Sequence, residues 1–230
     1  MDERMAEIEQ RGAAYTAGRE LLPVMELIAT TVHSSPGRDG MYRSRISDQV
    51  IEEWLAAARQ HKAILLLNIQ PGRANFLDEL KYFEKWLVQP DVGVALDPEW
   101  AVEPGQVPGR VYGRTSGAEL NQCAAWLSAL VTQHQLPEKV MVYHQLHPNI
   151  VRQEATLTPH AGVVLIKSID GIGAPAAKIA TWNRIISTTP AFVHTGFKLF
   201  LVEDVDRGQR LMQPEEVLAL LPQPEYVLFE

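Results

Sequence analysis

Short apolar runs alternate along the chain with longer segments in which apolar residues recur at helical spacing. Seven of the apolar runs have the length of β-strands, and most are apolar on both faces. Such strands are typical of a parallel sheet covered by helices. The predicted strands are residues 23–33, 63–70, 92–97, 139–146, 162–170, 196–204 and 226–230.

The segments between the strands are predicted to be amphipathic helices, because their apolar residues form single stripes. Ser116 and Glu119 form a capping-box pattern at the start of one helix. Pro175 and Pro214 occupy the first turns of two others. This repeated alternation of strand and helix predicts β-α-β units and a parallel sheet.

Polar residues gather at the C-terminal ends of nearly all the predicted strands. A doubly wound sheet places its functional residues at one switch point, whereas a barrel collects all strand ends in one basin. We therefore predict an α/β fold, a single TIM-like (β/α) barrel domain over residues 1–230. Seven strands are visible, so either the first of eight is missing, or the barrel is incomplete or seven-stranded.

Composition and charge limit the classes of partner. The 28 acidic residues exceed the 21 basic ones, and no basic segment suits a phosphate backbone, so we expect no nucleic-acid partner. The N-terminus lacks a signal-peptide core, and no apolar run reaches the roughly 18 residues of a membrane helix. We expect the chain to be cytoplasmic as written, or exported or lipid-anchored if its N-terminus is truncated.

Asp97 and Glu99 end one apolar run and are the leading catalytic candidates. Residues two apart on a strand point to the same side, so both face the basin if the strand stays extended through Pro98. Repulsion in a desolvated pocket would raise one pKa toward that of a general acid, as in glycoside hydrolysis. Trp100 would add a stacking surface for a sugar. The alternative is that Pro98 begins the loop, and Glu99 meets solvent or an arginine.

The other polar strand ends supply the remaining site candidates. His144 is the third catalytic candidate, a proton shuttle or substrate ligand, with a scaffold role as the alternative. Arg73, in the turn after the second strand, would clamp an anionic group of the substrate or pair with the carboxylates. The further substrate-binding candidates are Asn68, Gln70, Trp100, Gln145, Asp170, Lys198 and Glu203.

Glu26 is unusual because it lies among apolar residues within a predicted strand, and Lys198 is its most natural partner. Such a pair is either structural or shapes the floor of the site. No HxH, HExxH or CxxC spacing occurs, so we expect neither a metal nor another cofactor. The Gly- and Pro-containing connection over residues 101–116 is either a lid or a rigid surface loop.

The stretch DGIGAPA, residues 170–176, supports a rival hypothesis. It follows a strand, begins a helix and matches G-x-G-x-x-A, and Glu203 lies at the end of the next predicted strand, where a ribose-binding acid is found. The hypothesis requires the amides of this loop to face an anion-sized hollow. Only two predicted strands follow the motif, and these are too few to build the rest of a mononucleotide-binding half.

Several stretches together resemble an uncharacterised family of bacterial proteins, many of them described only as hypothetical proteins or lipoproteins. The resemblance covers nearly the whole chain and implies a shared TIM-barrel-like, glycosidase-like fold, with no established activity and no catalytic residues to transfer. Its members tend to be longer at the N-terminus and often look exported. The stretches are LLLNIQPGRANFLDELKYFEKWLVQPDVGVALDPEW, GQVPGRVYG, DGIGAPAAKIA, GFKLF and PEYVLFE.

The stretch DVGVALDPEW also resembles the strand of chitinase-type glycosidases that ends in Asp-x-Glu. The resemblance implies that Glu99 is the general acid and that Asp97 orients an acetamido group of the substrate. The chain departs from that pattern at Val94 and Ala95, where further acidic residues are expected.

These observations lead us to expect a hydrolase that acts on a glycan or another polyhydroxylated substrate through Asp97 and Glu99. Two alternatives stay open. One is a barrel without turnover that serves as a binding or cell-envelope scaffold, with both carboxylates tied up by Arg or Lys side chains. The other is an enzyme that binds a nucleotide or phosphate ligand at the loop over residues 171–176.

Overall fold

A computed structural model describes residues 2–230 and shows a mixed α/β architecture around one curled, mostly parallel sheet of eight strands. These strands are β1 (Val24–Val32), β2 (Arg43–Arg45), β3 (Ile64–Ile69), β4 (Val92–Leu96), β6 (Lys139–Gln145), β8 (Val163–Ile169), β9 (His194–Leu199) and β10 (Tyr226–Phe229). Two short strands, β5 (Thr115–Ser116) and β7 (Val151–Arg152), pair separately.

One helix precedes the first strand, and the others lie in the connections between strands. The helices are α1 (Asp2–Gly12), α2 (Asp48–Gln60), α3 (Phe76–Tyr82), α4 (Glu84–Leu87), α5 (Gly117–His134), α6 (Pro175–Ile186) and α7 (Pro214–Leu218). None of the helices formed by the described residues has both the length and the apolar character needed to span a membrane.

The sheet is a half-barrel that does not close, so the predicted TIM-like (β/α) barrel is wrong. The strand order is β10-β9-β8-β6-β4-β3-β1-β2, with seven parallel strands in chain order and β2 antiparallel to β1. Pairing of Thr30 with Arg45 and of Val32 with Arg43 places β2 along the outer edge of β1. No backbone ladder joins β10 to β1 within residues 2–230. The short polar segment that forms β2 carries no apolar strand signal, which is why it was not predicted.

Alternate residues of the strands face opposite sides of the sheet. One side packs against the helices in the main hydrophobic core, and the other holds a smaller cluster. That cluster consists of Leu66, Ala95, Val142, Ile166 and Tyr226. Tyr226 on β10 donates a hydrogen bond of 2.9 Å to Oε2 of Glu26 on β1. Because β10 and β1 lie near opposite edges of the sheet, the side with the smaller cluster is the concave one.

The concave side changes from apolar to polar toward the C-terminal ends of the strands. Two residues beyond Leu66, Ala95, Val142 and Ile166 come Asn68, Asp97, His144 and Ser168. Because residues two apart on a strand point to the same side, these polar groups lie on the same concave side, toward one end of the small apolar cluster. The curl of the sheet turns them toward one another.

A buried carboxylate ties β2 to the helical layer. Glu79 on α3 is fully buried and accepts hydrogen bonds from Nε of Arg43 at 2.9 Å and from Nε and Nη2 of Arg45 at 2.7 Å each. The hydroxyl of Thr30 on β1 also donates to Glu79, at 3.3 Å. One carboxylate thus joins β1 and the edge strand β2 to a helix.

We predict that Glu79→Gln lowers the free energy of unfolding by about 3 kcal/mol, because two partly buried guanidinium groups lose the fully buried carboxylate that they share, and only Arg43 keeps another, Asp39. Urea denaturation measures the change. Glu84→Gln, the same substitution at an exposed position on α4, is the matched control and leaves stability within about 0.5 kcal/mol. Equal stability of the two variants would contradict this role for Glu79.

Candidate functional site

The C-terminal ends of the parallel strands surround a cavity of about 730 Å³. The predicted site residues that line it are Asn68, Gln70, Asp97, Glu99, Trp100, Asp170 and Lys198. Residues 109–112 form part of its wall, and Leu228, Phe229 and Glu230 line it from β10 and the residue that follows.

The chain does not stay extended through Pro98. A 3-10 turn over Pro98–Trp100 follows Asp97 directly, so the premise that placed Asp97 and Glu99 on one side of a strand is wrong. Both side chains nevertheless line the cavity. The turn itself aims Glu99 inward, and the amide of Gly113 fixes it by donating to the Glu99 carbonyl oxygen at 2.6 Å.

Neutral amides hold the carboxylate of Asp97. The side-chain nitrogen of Asn68 donates to Oδ1 at 3.0 Å, and that of Gln70 donates to Oδ2 at 3.3 Å. Burial raises the pKa of Asp97, the charge of Glu26 raises it further, and the positive charges of His144 and Lys198 offset only part of this increase. Since both oxygens accept hydrogen bonds, the surroundings of Asp97 suit the ionised form.

The carboxyl group of Glu99, unlike that of Asp97, is not held by side-chain amides. Its Oε2 is shielded from solvent and has no hydrogen-bond partner among the described residues. Burial raises the pKa of Glu99 well above its ordinary value, and repulsion from Asp97 and Asp170 adds to the effect. Of the two carboxyl groups, Glu99 is therefore the one whose surroundings more strongly favour the neutral form.

His144 lies between two carboxylates and is fully buried. Its Nδ1 lies 2.7 Å from Oδ2 of Asp170, and its Nε2 lies 3.2 Å from Oε1 of Glu26. Burial disfavours the imidazolium form, but the charges of Asp170 and Glu26 outweigh burial and raise the pKa of His144 well above its ordinary value. The ring is a buried cation, and it does not itself line the cavity.

The two carboxylates beside His144 are stabilised as anions. Although burial acts against it, the charges of His144 and Lys198 and hydrogen bonds from His144 and Ser168 lower the pKa of Asp170 to about 2. Burial likewise opposes ionisation of Glu26, but the charge and hydrogen bond of His144, with smaller contributions from Asn68 and Lys198, lower its pKa.

The predicted direct pair between Glu26 and Lys198 does not form. Glu26 instead accepts hydrogen bonds from Asn68 at 2.7 Å and from Tyr226 at 2.9 Å. The ammonium group of Lys198 lies 2.5 Å from Oε2 of Glu230 and 3.5 Å from Oδ2 of Asp170. Lys198 contributes to the site as a second cation at the cavity wall.

Three predicted substrate-binding residues lie outside the cavity. Arg73 donates twice to the backbone oxygen of Gln106, at 3.0 and 2.6 Å, and anchors the loop that follows β4. Gln145 is buried and its side-chain nitrogen donates to the backbone oxygens of His147 and Pro148. Glu203 is exposed. Its strand ends at Leu199, earlier than predicted, so Glu203 is not at a strand end.

A carboxylate of the protein itself binds to the loop over residues 170–176, where the nucleotide hypothesis places a phosphate group. Buried Asp204 accepts hydrogen bonds from the amide of Gly173 at 2.8 Å and from that of Phe200 at 2.9 Å. The ammonium group of Lys178 lies 2.7 Å from the same carboxylate. The amide of Gly173 therefore does not face the anion-sized hollow that the nucleotide hypothesis requires.

The connection after β4 forms a fixed wall of the cavity. Its ends are fastened by hydrogen bonds from Val102 to the oxygen of Gly72 and from Arg114 to the oxygen of Ala101. A Cβ atom at Gly113 would lie 2.3 Å from the oxygen of Ala101, so only glycine fits this crossing. Tyr112, which was not predicted as a site residue, lines the cavity from this wall and is 62% exposed.

No known family model matches the chain, and no curated protein matches it. The resemblances noted in the sequence therefore stay predictions. Within residues 2–230, no group of three or more His, Cys, Asp or Glu side chains is arranged to hold a metal ion.

We predict that Glu99→Gln stabilises the protein at neutral pH, on the order of 1 kcal/mol, because glutamine removes a carboxyl group whose ionised form the folded state disfavours. The pKa of Glu99 is raised in the folded state, so its contribution to stability is complete below its ordinary value of 4.5 and is lost as pH rises through the folded-state pKa. The advantage of Glu99→Gln should therefore vanish near pH 4 and grow toward neutral pH.

Denaturant unfolding of both proteins across this pH range measures the difference. Glu103→Gln, at an exposed position in the same connection, is the control and should show no pH-dependent gain. A gain that does not change with pH would contradict a raised pKa at Glu99.

Proposed function

We propose that the protein hydrolyses a glycosidic bond in a glycan or a similar polyhydroxylated substrate, with Glu99 as the general acid. The observation that carries this proposal is a carboxyl group whose Oε2 has no hydrogen-bond partner among the described residues, at the wall of a cavity of about 730 Å³. The raised pKa of Glu99 favours its acid form. An acid at a cavity wall whose proton is not held by a protein acceptor can give that proton to a substrate oxygen.

Glu99 and Asp97 take different roles because their surroundings differ. Burial raises the pKa of both groups, but the charges of His144 and Lys198 and hydrogen bonds from two amides oppose this at Asp97, whereas at Glu99 the charge of His144 is outweighed by burial and by repulsion from Asp97 and Asp170. Two carboxyl groups whose pKa values are pushed apart are the usual basis of acid and base assignments. Glu99 supplies the proton, and Asp97 supplies negative charge.

The reaction then follows from these assignments. The proton of Glu99 passes to the glycosidic oxygen as the bond from that oxygen to the anomeric carbon breaks. The charge of Asp97 stabilises the positive charge that develops on the sugar. Water adds to the anomeric carbon, and a proton from that water restores the acid form of Glu99. His144 does not line the cavity; its Nε2 lies 3.9 Å from Oδ1 of Asp97, and it acts as a positioning residue through Asp170, Glu26 and this contact.

The walls of the cavity fit a sugar better than an apolar ligand or a small anion. Trp100 and Tyr112 offer aromatic surfaces, which stack on the apolar faces of sugar rings. Asn68 and Gln70 present amides beside the carboxylates, as recognition of hydroxyl groups requires. The acidic floor disfavours an anionic group at the position of cleavage.

The scaffold alternative has less support from this geometry. It requires Arg or Lys side chains to engage both carboxylates, but Asp97 accepts from neutral amides, and Oε2 of Glu99 has no partner among residues 2–230. The nucleotide alternative requires the backbone amide of Gly173 to be free for a ligand, but that amide donates a hydrogen bond to Asp204.

We predict that Glu99→Gln slows hydrolysis in a way that depends on the leaving group. A panel of aryl glycosides first identifies the sugar that the native protein accepts. For a sugar leaving group, kcat/KM falls about 1000-fold, because departure needs a proton; for a dinitrophenolate, which leaves unaided, it falls less than about tenfold. Glu103→Gln is the control. Equal losses on both substrates would overturn the assignment of Glu99 as the acid.

We predict that Asp97→Asn lowers kcat at least about 100-fold on both classes of substrate, because the lost charge acts on the sugar and not on the leaving group. The melting temperature should change by only a few degrees, since burial already raises the pKa of Asp97. A large loss of stability without loss of turnover would show that the role of Asp97 is structural.

A further inference from the structure

A second hollow, of about 630 Å³, adjoins the cavity and shares Tyr112 with it. Its walls are residues 112–114, from the connection after β4, and residues 147–153, from the connection after β6. The strand pair β5 and β7 joins these connections, with Thr115 opposite Val151. The amide of Thr115 donates to the oxygen of Ile150 at 2.8 Å. The walls of the hollow are therefore fixed relative to each other.

The charge of this hollow is opposite to that of the cavity. Of the ten described residues that line it, two are arginines, one is a histidine and none is acidic. The cavity next to it is lined by five acidic residues, and the whole chain has a formal charge of -7. A group of cations in an acidic protein, confined to one hollow, points to an anionic ligand.

Arg114 and Arg152 are free to bind such a ligand. Among the described residues, no carboxylate pairs with either guanidinium group, whereas Arg43 and Arg45 pair with Glu79. His147 adds a third donor: its Nδ1 accepts from the amide of Asn149 at 3.2 Å, which leaves the proton of the neutral ring on Nε2. Two guanidinium groups and an imidazole N–H are donors that suit carboxylate, sulfate or phosphate oxygens.

We propose that this hollow binds an anionic substituent of the glycan whose scissile bond lies in the cavity; the proposal rests on the proposed hydrolysis. The substrate is then an acidic polysaccharide in which a neutral sugar occupies the carboxylate-lined cavity and a charged unit lies beyond Tyr112. Arg110, which lines the cavity from the same wall as Tyr112, extends the cationic surface between the two. The hollow selects the charged substrate, and the cavity cleaves it.

The anion site itself is tested without any turnover, with inorganic phosphate and sulfate as probes. Titration of the native protein, followed by heteronuclear NMR, should give saturable shifts of the amides of Arg114 and Arg152. The double variant Arg114→Gln/Arg152→Gln should bind at least tenfold more weakly, since it removes both guanidinium groups that would form charge-assisted hydrogen bonds to the anion. Arg184→Gln, at an exposed position on α6, is the control and should bind as the native protein does. Shifts that do not saturate, or that survive in the double variant, overturn the site.

The role in substrate selection is tested with an acidic oligosaccharide and its neutral methyl ester, both containing the sugar identified by the aryl glycoside panel. The double variant should raise KM about tenfold or more for the acidic oligosaccharide, leave kcat unchanged, and leave both constants unchanged for the ester. If the double variant changes KM equally for the two oligosaccharides, the hollow does not select acidic substrates. The proposed hydrolysis would not be affected by that result. If the protein binds phosphate saturably but cleaves no glycoside, the proposed hydrolysis is refuted. The role of the hollow in selecting a glycan substrate is then refuted as well, but the anion site itself is supported.

Discussion

The buried imidazolium of His144 is the interaction on which the site depends. A charge removed from water is tolerated only when counter-charges and hydrogen bonds surround it, and here they come from Asp170 beyond β8 and from Glu26 on β1. With Lys198, the ring provides two positive charges near the five acidic residues that line the cavity. These charges lower the pKa values of Glu26 and Asp170, whereas those of Asp97 and Glu99 stay raised. At Glu99, burial and repulsion from Asp97 and Asp170 outweigh the charge of His144.

The same interaction links the site to the seam of the open sheet. Glu26 accepts from Tyr226 across the concave side, although the strands that carry them have no backbone ladder between them within the described chain. Burial raises the pKa of Tyr226 well above its ordinary value, and the charge of Glu26 raises it further, so the phenol keeps the proton that it donates. A side-chain hydrogen bond therefore helps to hold the curl that brings the strand ends together.

Apolar runs were enough to predict that the seven parallel strands exist, because most of the strand residues are buried, although β9 ends before its apolar run does. It was not enough to predict closure. Which strands form the edges depends on the polar segment of β2, whose position is set by Arg43, Arg45 and Glu79. These residues are distant in sequence, and an ion pair between them leaves no periodic signal. Glu203 was misplaced for a related reason, since the apolar residues after Leu199 continue in a turn.

For the site, strand ends were more predictable than loops. The alternation of residues on a strand fixes the side that Asn68 and His144 face, whereas Arg73 and Tyr112 depend on how the connection after β4 crosses itself at Gly113. The difference between strand ends and connections matches the two proposed functions, which are cleavage of the substrate and selection of its charge. Strand β1 and the residues directly after β4 and β8 carry Glu26, Asp97 and Asp170, the 3-10 turn after Asp97 carries Glu99, and the connections farther from the strand ends carry Arg114 and Arg152, which pair with no carboxylate among the described residues. Since connections vary without disturbing the sheet, the charge of the substrate can be selected separately from the chemistry that cleaves it.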